Sequence, residues 1–72
     1  MRLTYDADAN AAYLYLVDEI GSGEIARTVP VENLGAEAMI SLDFGGDGRL
    51  LGVEILDASK LLPLGLLRVS DV

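Results

Sequence analysis

A short Asp/Gly-rich stretch at residues 43–49 separates two apolar runs, and it constrains the fold more than any other feature of the sequence. Asp-Gly dipeptides tolerate the positive φ angles of tight hairpin turns, so the pair Asp47-Gly48 predicts a turn between antiparallel strands. Apolar residues alternate in the preceding run, residues 38–42, and dominate the following run, residues 50–56. We therefore predict that these two runs form a hairpin.

Three more strands are predicted, over residues 3–5, 11–17 and 24–29. The second of them is apolar on both faces, which predicts a position inside the sheet. Pro30 cannot donate a ladder hydrogen bond, so it either ends the third strand or places that strand at an edge. A turn is predicted over residues 31–35. The predicted inward-facing residues are Leu14, Leu16, Ile40, Leu42, Leu51, Val53 and Ile55.

The C-terminal part of the chain predicts a short helical turn over residues 57–62, capped by Asp57. Pro63 limits how far this turn can extend, although a second turn can begin at the proline itself. The chain is thus predicted to be a single small domain, residues 1–72, of the α+β class and mainly β. Its architecture is predicted as an antiparallel meander of four to five strands with a short C-terminal helical element.

The residue types that are missing exclude several chemistries. The 72 residues include no cysteine and no histidine, so the sequence offers neither a disulfide nor a thiolate metal site. It also lacks the side chain that most often serves as a metal ligand and as an acid or base near neutral pH. We expect no cofactor, no transition metal and no catalytic residue. Because so short a chain buries little surface, oligomerisation is the expected source of additional stability.

The chain is strongly acidic, with a net charge of −7. This charge repels nucleic acids and anionic membranes, so neither is expected as a partner, whereas a basic partner protein is favoured. No apolar stretch is long enough to span a bilayer, and the N-terminus does not resemble a signal peptide. The expected compartment is therefore the cytoplasm.

Two segments of the sequence resemble the bacterial and archaeal family called domain of unknown function 2283. Residues 5–14 are similar to the family's opening Tyr-Asp motif, and residues 43–59 are similar to its closing Asp-Gly, Gly-Ile-Glu-Ile-Leu and Ala-Ser motifs. Three positions depart from the family pattern, where Asn10 replaces an acid, Ala12 replaces leucine and Gly45 replaces a common acid. The resemblance implies a small β-rich domain without an established activity, and it hints at an accessory or antitoxin-like role.

Acidic residues supply the alternative hypothesis, which is a carboxylate-based enzyme or a calcium- or magnesium-dependent protein. Residues 6–10 match the first positions of a calcium-binding loop, but Ala11 and Val17 stand where glycine and a bidentate glutamate are needed. Paired carboxylates also require a cleft, which a two-stranded turn does not provide. An Asx-rich turn and solvent-exposed acids are therefore favoured over a site. The residues of this alternative are Asp6, Asp8, Asp43, Asp47 and Glu54.

Five leucines within residues 61–67 form the most apolar segment of the chain. A short helical turn has a single inward stripe, so it cannot bury all of them against its own sheet. We predict a homodimer that contacts through this segment, with a heterologous basic partner as the competing occupant. The predicted interface residues are Leu61, Leu62, Leu64, Leu66 and Leu67.

Overall fold

The structure is a computed structural model, and it describes residues 1–32 and 39–68. These residues form five antiparallel strands and two short helices, joined by turns and loops. The strands form one sheet in the order β1-β2-β5-β4-β3. The predicted class, mainly β with a small C-terminal helical part, is confirmed. The elements are β1 (Arg2–Asp6), β2 (Ala11–Tyr15), β3 (Ile25–Val31), β4 (Met39–Gly45), β5 (Leu50–Leu56), α1 (Ala58–Leu61) and α2 (Leu64–Arg68).

The strand order differs from that of a simple meander, because β5 lies between β2 and β4. The connection over residues 16–24 carries the chain from β2 to the far edge, and β4 and β5 then return toward the middle. Of the two alternatives predicted for Pro30, the edge position is confirmed, because β3 is the last strand of the sheet. However, β3 continues through Pro30 to Val31, so the predicted turn begins too early. Residues 33–35 of that turn lie outside the described residues.

The predicted hairpin of β4 and β5 is confirmed, with Leu42 opposite Val53. Its turn is closed by the Gly48 N–H, which donates to the Gly45 carbonyl at 3.0 Å. Gly48 has a φ of 83°, a conformation that glycine adopts without steric cost. Asp43 belongs to β4 rather than to the turn.

The register sorts the strand residues onto two faces of the sheet with opposite character. Two rows of residues cross all five strands on each face. On what we call the apolar face, the rows contain Leu3, Leu14, Val53, Leu42 and Val29, and Tyr5, Ala12, Ile55, Ile40 and Val31. On the polar face, the rows contain Arg2, Tyr15, Gly52, Asp43 and Thr28, and Thr4, Tyr13, Glu54, Ser41 and Pro30.

The buried core lies at one end of the apolar face, where the helices pack on the sheet. It consists of Ala12, Ile55, Ala58 and Leu67. Two of these four residues are alanines, whose small side chains allow a helix to approach the sheet closely. The prediction that Leu16 faces inward is wrong. The strand β2 ends at Tyr15 rather than at residue 17, and the Leu16 side chain is exposed.

The start of α1 is held by Asn10, which lies in the β1–β2 turn. The Asn10 carbonyl accepts from the Ala58 N–H at 3.0 Å, and its Oδ1 accepts from the Ser59 N–H at 3.1 Å. The Asn10 Nδ2 donates to Asp57 Oδ1 at 3.2 Å and to Ser59 Oγ at 2.9 Å. The prediction that Asp57 caps this helix is wrong, because Asp57 has a left-handed backbone and its side chain makes no capping bond. Asn10 therefore caps α1 from a distant turn and links the helix to β1 and β2.

Replacing Asn10 by aspartate should destabilise the fold by about 1–2 kcal/mol, because the donor amide becomes a carboxylate that faces Asp57. Urea unfolding measures the change. The double variant Asn10→Asp with Asp57→Asn reverses the donor and the acceptor and should recover part of the loss. An unchanged midpoint in the single variant would contradict the capping role of Asn10.

Candidate functional site

Asp43 on the polar face is the one buried charged residue in the described part of the chain, with 7% of its surface exposed. The Tyr13 hydroxyl donates to Asp43 Oδ2 at 2.6 Å, and the Thr28 hydroxyl donates to Oδ1 at 2.6 Å. Both carboxylate oxygens therefore have a short, charge-assisted hydrogen bond. The three side chains come from β2, β4 and β3, so the cluster ties together strands that are distant in sequence.

Gly52 makes this cluster possible, since it leaves the backbone of β5 bare between β2 and β4. Tyr13 lies across that bare backbone, and a Cβ atom at Gly52 would overlap the tyrosine ring. The overlap would involve ring atoms that are held by the hydrogen bond to Asp43, so a side chain at Gly52 would displace Tyr13. The glycine is thus required by close approach rather than by an unusual φ angle.

Aromatic and cationic groups extend the cluster toward β1. The rings of Tyr13 and Tyr15 lie 4.7 Å apart between centroids, and the Arg2 guanidinium lies 4.0 Å above the Tyr15 ring. The pKa of Tyr13 is raised far above its usual value of 10.0. Burial is the largest cause, and the hydrogen bond to Asp43 is the second. Tyr13 is therefore a persistent donor at any physiological pH.

This geometry supports a structural role for the cluster. A general base needs an oxygen that faces a substrate, whereas Asp43 is 7% exposed and each of its oxygens accepts a hydrogen bond from a neighbouring strand. Sequence reasoning placed Asp43 next to a turn and missed its contacts with Tyr13 and Thr28. The available signal was Gly52, a glycine in the interior of a strand, which indicates a close approach by another group.

The predicted acidic residues separate into three groups. Asp6, Asp8 and Glu54 line one open groove on the polar face, whereas Asp43 is held within its cluster. Asp47 lies at the opposite end of the sheet, in the β4–β5 turn. Within residues 1–32 and 39–68, no three acidic side chains converge closely enough to hold a metal ion.

The turn at residues 6–10 has the geometry of an Asx turn. The Asp6 Oδ1 accepts from the N–H groups of Asp8 and Ala9, at 3.0 and 3.3 Å. This carboxylate therefore organises its own backbone, as the turn hypothesis predicts.

The C-terminal leucines occupy different environments. Leu67 is buried in the core, and Leu61 and Leu62 are half-buried against it. Leu64 and Leu66 on α2 remain exposed, at 56% and 43% of their surfaces. Of the five predicted interface residues, these two are therefore the most accessible.

Removing the Tyr13 hydroxyl should lower stability by about 1.5 kcal/mol, because Asp43 loses a charge-assisted bond. Because the pKa of Tyr13 is higher in the folded state than in the unfolded state, its contribution to stability is fully present at pH values below the unfolded-state pKa. This contribution is lost as the pH rises above the unfolded-state pKa and through the folded-state pKa. The stability difference between wild type and Tyr13→Phe should therefore be constant up to about pH 10 and then shrink.

Urea unfolding at about pH 8 and about pH 11 measures this difference. Tyr15→Phe is the matched control, since the Tyr15 hydroxyl makes no hydrogen bond among the described residues, and it should leave the midpoint at pH 8 nearly unchanged. An equal difference between wild type and Tyr13→Phe at both pH values would contradict the stabilisation of the neutral phenol.

Comparisons with known proteins give a family and no activity. No helix of the described residues is long and apolar enough to cross a membrane. No curated protein and no solved structure matches the chain. A family model described as protein of unknown function (DUF2283) matches residues 2–59. This match spans all five strands and ends before α2 begins. With most of its length matched, and with the strand motifs in place, the chain belongs to the DUF2283 family of proteins of unknown function.

Proposed function

We propose that this protein is a non-catalytic assembly module that pairs with a second copy of itself through the apolar face and α2. The observation that carries the proposal is that the apolar face is larger than the area that α1 and α2 cover. All ten positions in its two rows are apolar or aromatic; two of them, Ala12 and Ile55, are buried, and the other eight are only half-buried.

The fully buried core within one chain is small. Among the described residues, the largest buried side chains are those of Ile55 and Leu67, and none of the large side chains is completely buried. A fully buried leucine or isoleucine contributes about 1.5–3 kcal/mol. The half-buried residues packed against the core, such as Leu3, Ile40 and Val53, would contribute more if a partner covered the surface they still expose. Domains of this size usually need an additional source of stability, and a partner subunit is one of the common solutions.

The shape of the chain agrees with a missing second layer. Its radius of gyration is 12.3 Å, whereas a compact domain of this length has about 11 Å. Its accessible surface is 4907 Å², whereas a compact monomer of 7.6 kDa exposes about 4,300 Å². The shortest dimension is only 17 Å. A slab of this kind is well suited to packing face to face with another sheet.

A second copy is the favoured occupant because the apolar face carries no charge in its two rows. Each chain has a net charge of −7, so the repulsion between two copies is smallest where they meet through uncharged surface. The α2 helix covers one end of the face and projects Leu64 and Leu66 outward. A two-fold axis would place these leucines of one copy near the open end of the sheet of the other, around Leu14 and Leu42.

The accessory or antitoxin-like role implied by the family resemblance fits within this proposal, with a basic protein as the further partner. The alternative of a carboxylate enzyme or a calcium- or magnesium-dependent protein has less support. The most buried carboxylate, Asp43, accepts a hydrogen bond at each oxygen from within the sheet, and the others are exposed or organise a turn.

The variant Leu66→Asp should halve the assembled mass measured by light scattering after size exclusion, because a charge is placed in the apolar contact. Met39→Asp is the matched control. Met39 is also exposed, but the register places it on the polar face with Ser41 and Asp43, so its substitution should leave the mass unchanged. A wild-type chain that stays monomeric at high micromolar concentration would contradict the proposal.

A further inference from the structure

β1 is an open edge of the sheet, and it differs from the edge at β3. In β3 a proline replaces one ladder donor, and the register shifts between Ile25 and Arg27. Proline and irregular register are features that prevent an edge from pairing with another strand. β1 pairs with β2 through five residues in unbroken register and contains no proline. Among the described residues, no other strand pairs with its outer side.

A groove of about 700 Å³ lies on the polar face and extends from β1 across β2 to Glu54 on β5. Its side chains include three carboxylates, and Asp6, Asp8 and Glu54 are all exposed. Glu54 makes no ion pair within the described residues. The wall of the groove is formed by Tyr13, together with Thr4 of the edge strand itself. The groove is therefore both negatively charged and partly aromatic.

The basic residue of β1 does not occupy this groove. The Arg2 guanidinium lies over the Tyr15 ring, and its Nη2 donates to the Asp18 carbonyl at 3.3 Å. These contacts direct Arg2 toward β2 and away from the open edge. The negative charge of the groove is thus left without a cation from its own lining.

The other side of β1 is apolar, with Leu3 and Tyr5 packed against the core. Successive side chains of an added strand point to opposite faces of the sheet. A strand added at β1 would therefore place one set of side chains near Asp6 and the groove, and the alternate set beside Leu3 and Tyr5.

We infer that the β1 edge binds an extended segment of a partner protein in which basic residues alternate with apolar residues. Backbone hydrogen bonds to β1 would provide affinity, as in other cases of strand addition to a sheet edge. The groove would select lysine or arginine at alternate positions. A second copy is a poorer fit, because its β1 brings another Asp6 and an Arg2 that is already engaged. This inference does not depend on the proposed function, which uses the apolar face and α2.

The probe is a capped heptapeptide of alternating valine and lysine, titrated into the full chain and followed by NMR and calorimetry. We expect saturable binding, with shifts and slowed hydrogen exchange at the amides of residues 2–6. A peptide of the same sequence with every backbone nitrogen methylated cannot donate from either edge, so it should bind at least about tenfold more weakly.

The variant Asp6→Asn with Asp8→Asn removes two charges at the end of β1 and should weaken binding about tenfold at low salt. The Asp8 side chain forms no hydrogen bond in the described structure, and an asparagine Oδ1 can still accept the two turn bonds of Asp6, so the fold should be retained. The control is Glu32→Gln with Asp47→Asn, which removes the same charge at the end of β3 and in the β4–β5 turn and should change the affinity less than about twofold.

Three results would overturn the inference. The first is equal binding of the methylated peptide, and the second is an equal loss of affinity in the control variant. The third is protection of the β1 amides that rises with protein concentration when no peptide is present, because that result identifies a second copy as the occupant. Measuring the assembled mass in parallel keeps these results separate from a failure of the proposed dimer.

Discussion

Tyr13 reaches Asp43 across the bare backbone of Gly52, and the interior of the sheet depends on this crossing. The contact joins β2 to β4 over β5, and Thr28 of β3 completes it. A buried carboxylate without partners would cost several kcal/mol, so its two short hydrogen bonds are a requirement of the fold. They also fix the register, because a shift of one residue would move Asp43 to the apolar face.

The opposite face of the sheet is organised by a different contact and is less complete. Asn10 connects the β1–β2 turn to α1, so the helices are held at one end of the apolar face. The rest of that face is half-buried among the described residues, and Leu64 and Leu66 are exposed on α2. The polar face thus holds the buried charge with its partners, whereas the apolar face keeps accessible apolar surface. This asymmetry is the physical basis for assigning assembly to the apolar face and strand addition to the edge beside the polar face.

The local elements could be predicted from the sequence, whereas the contacts between distant residues could not. Asp47-Gly48 and its flanking apolar runs predict the β4–β5 hairpin, and Pro30 predicts an edge strand, because both signals are local. The insertion of β5 between β2 and β4 depends on pairing across the whole chain. The roles of Asp43 and Asn10 depend on partners up to 49 residues away. Alternation alone extended β2 too far and so misplaced Leu16.

The central claim is that the stability of this domain depends on covering the apolar face with a second copy. Urea unfolding over an approximately hundredfold range of protein concentration tests this claim directly, since assembly stabilises the folded state by mass action. The account predicts a midpoint that rises steadily with concentration while the steepness of the transition is retained. A midpoint that is independent of concentration, in a chain that runs as a monomer throughout, would contradict it.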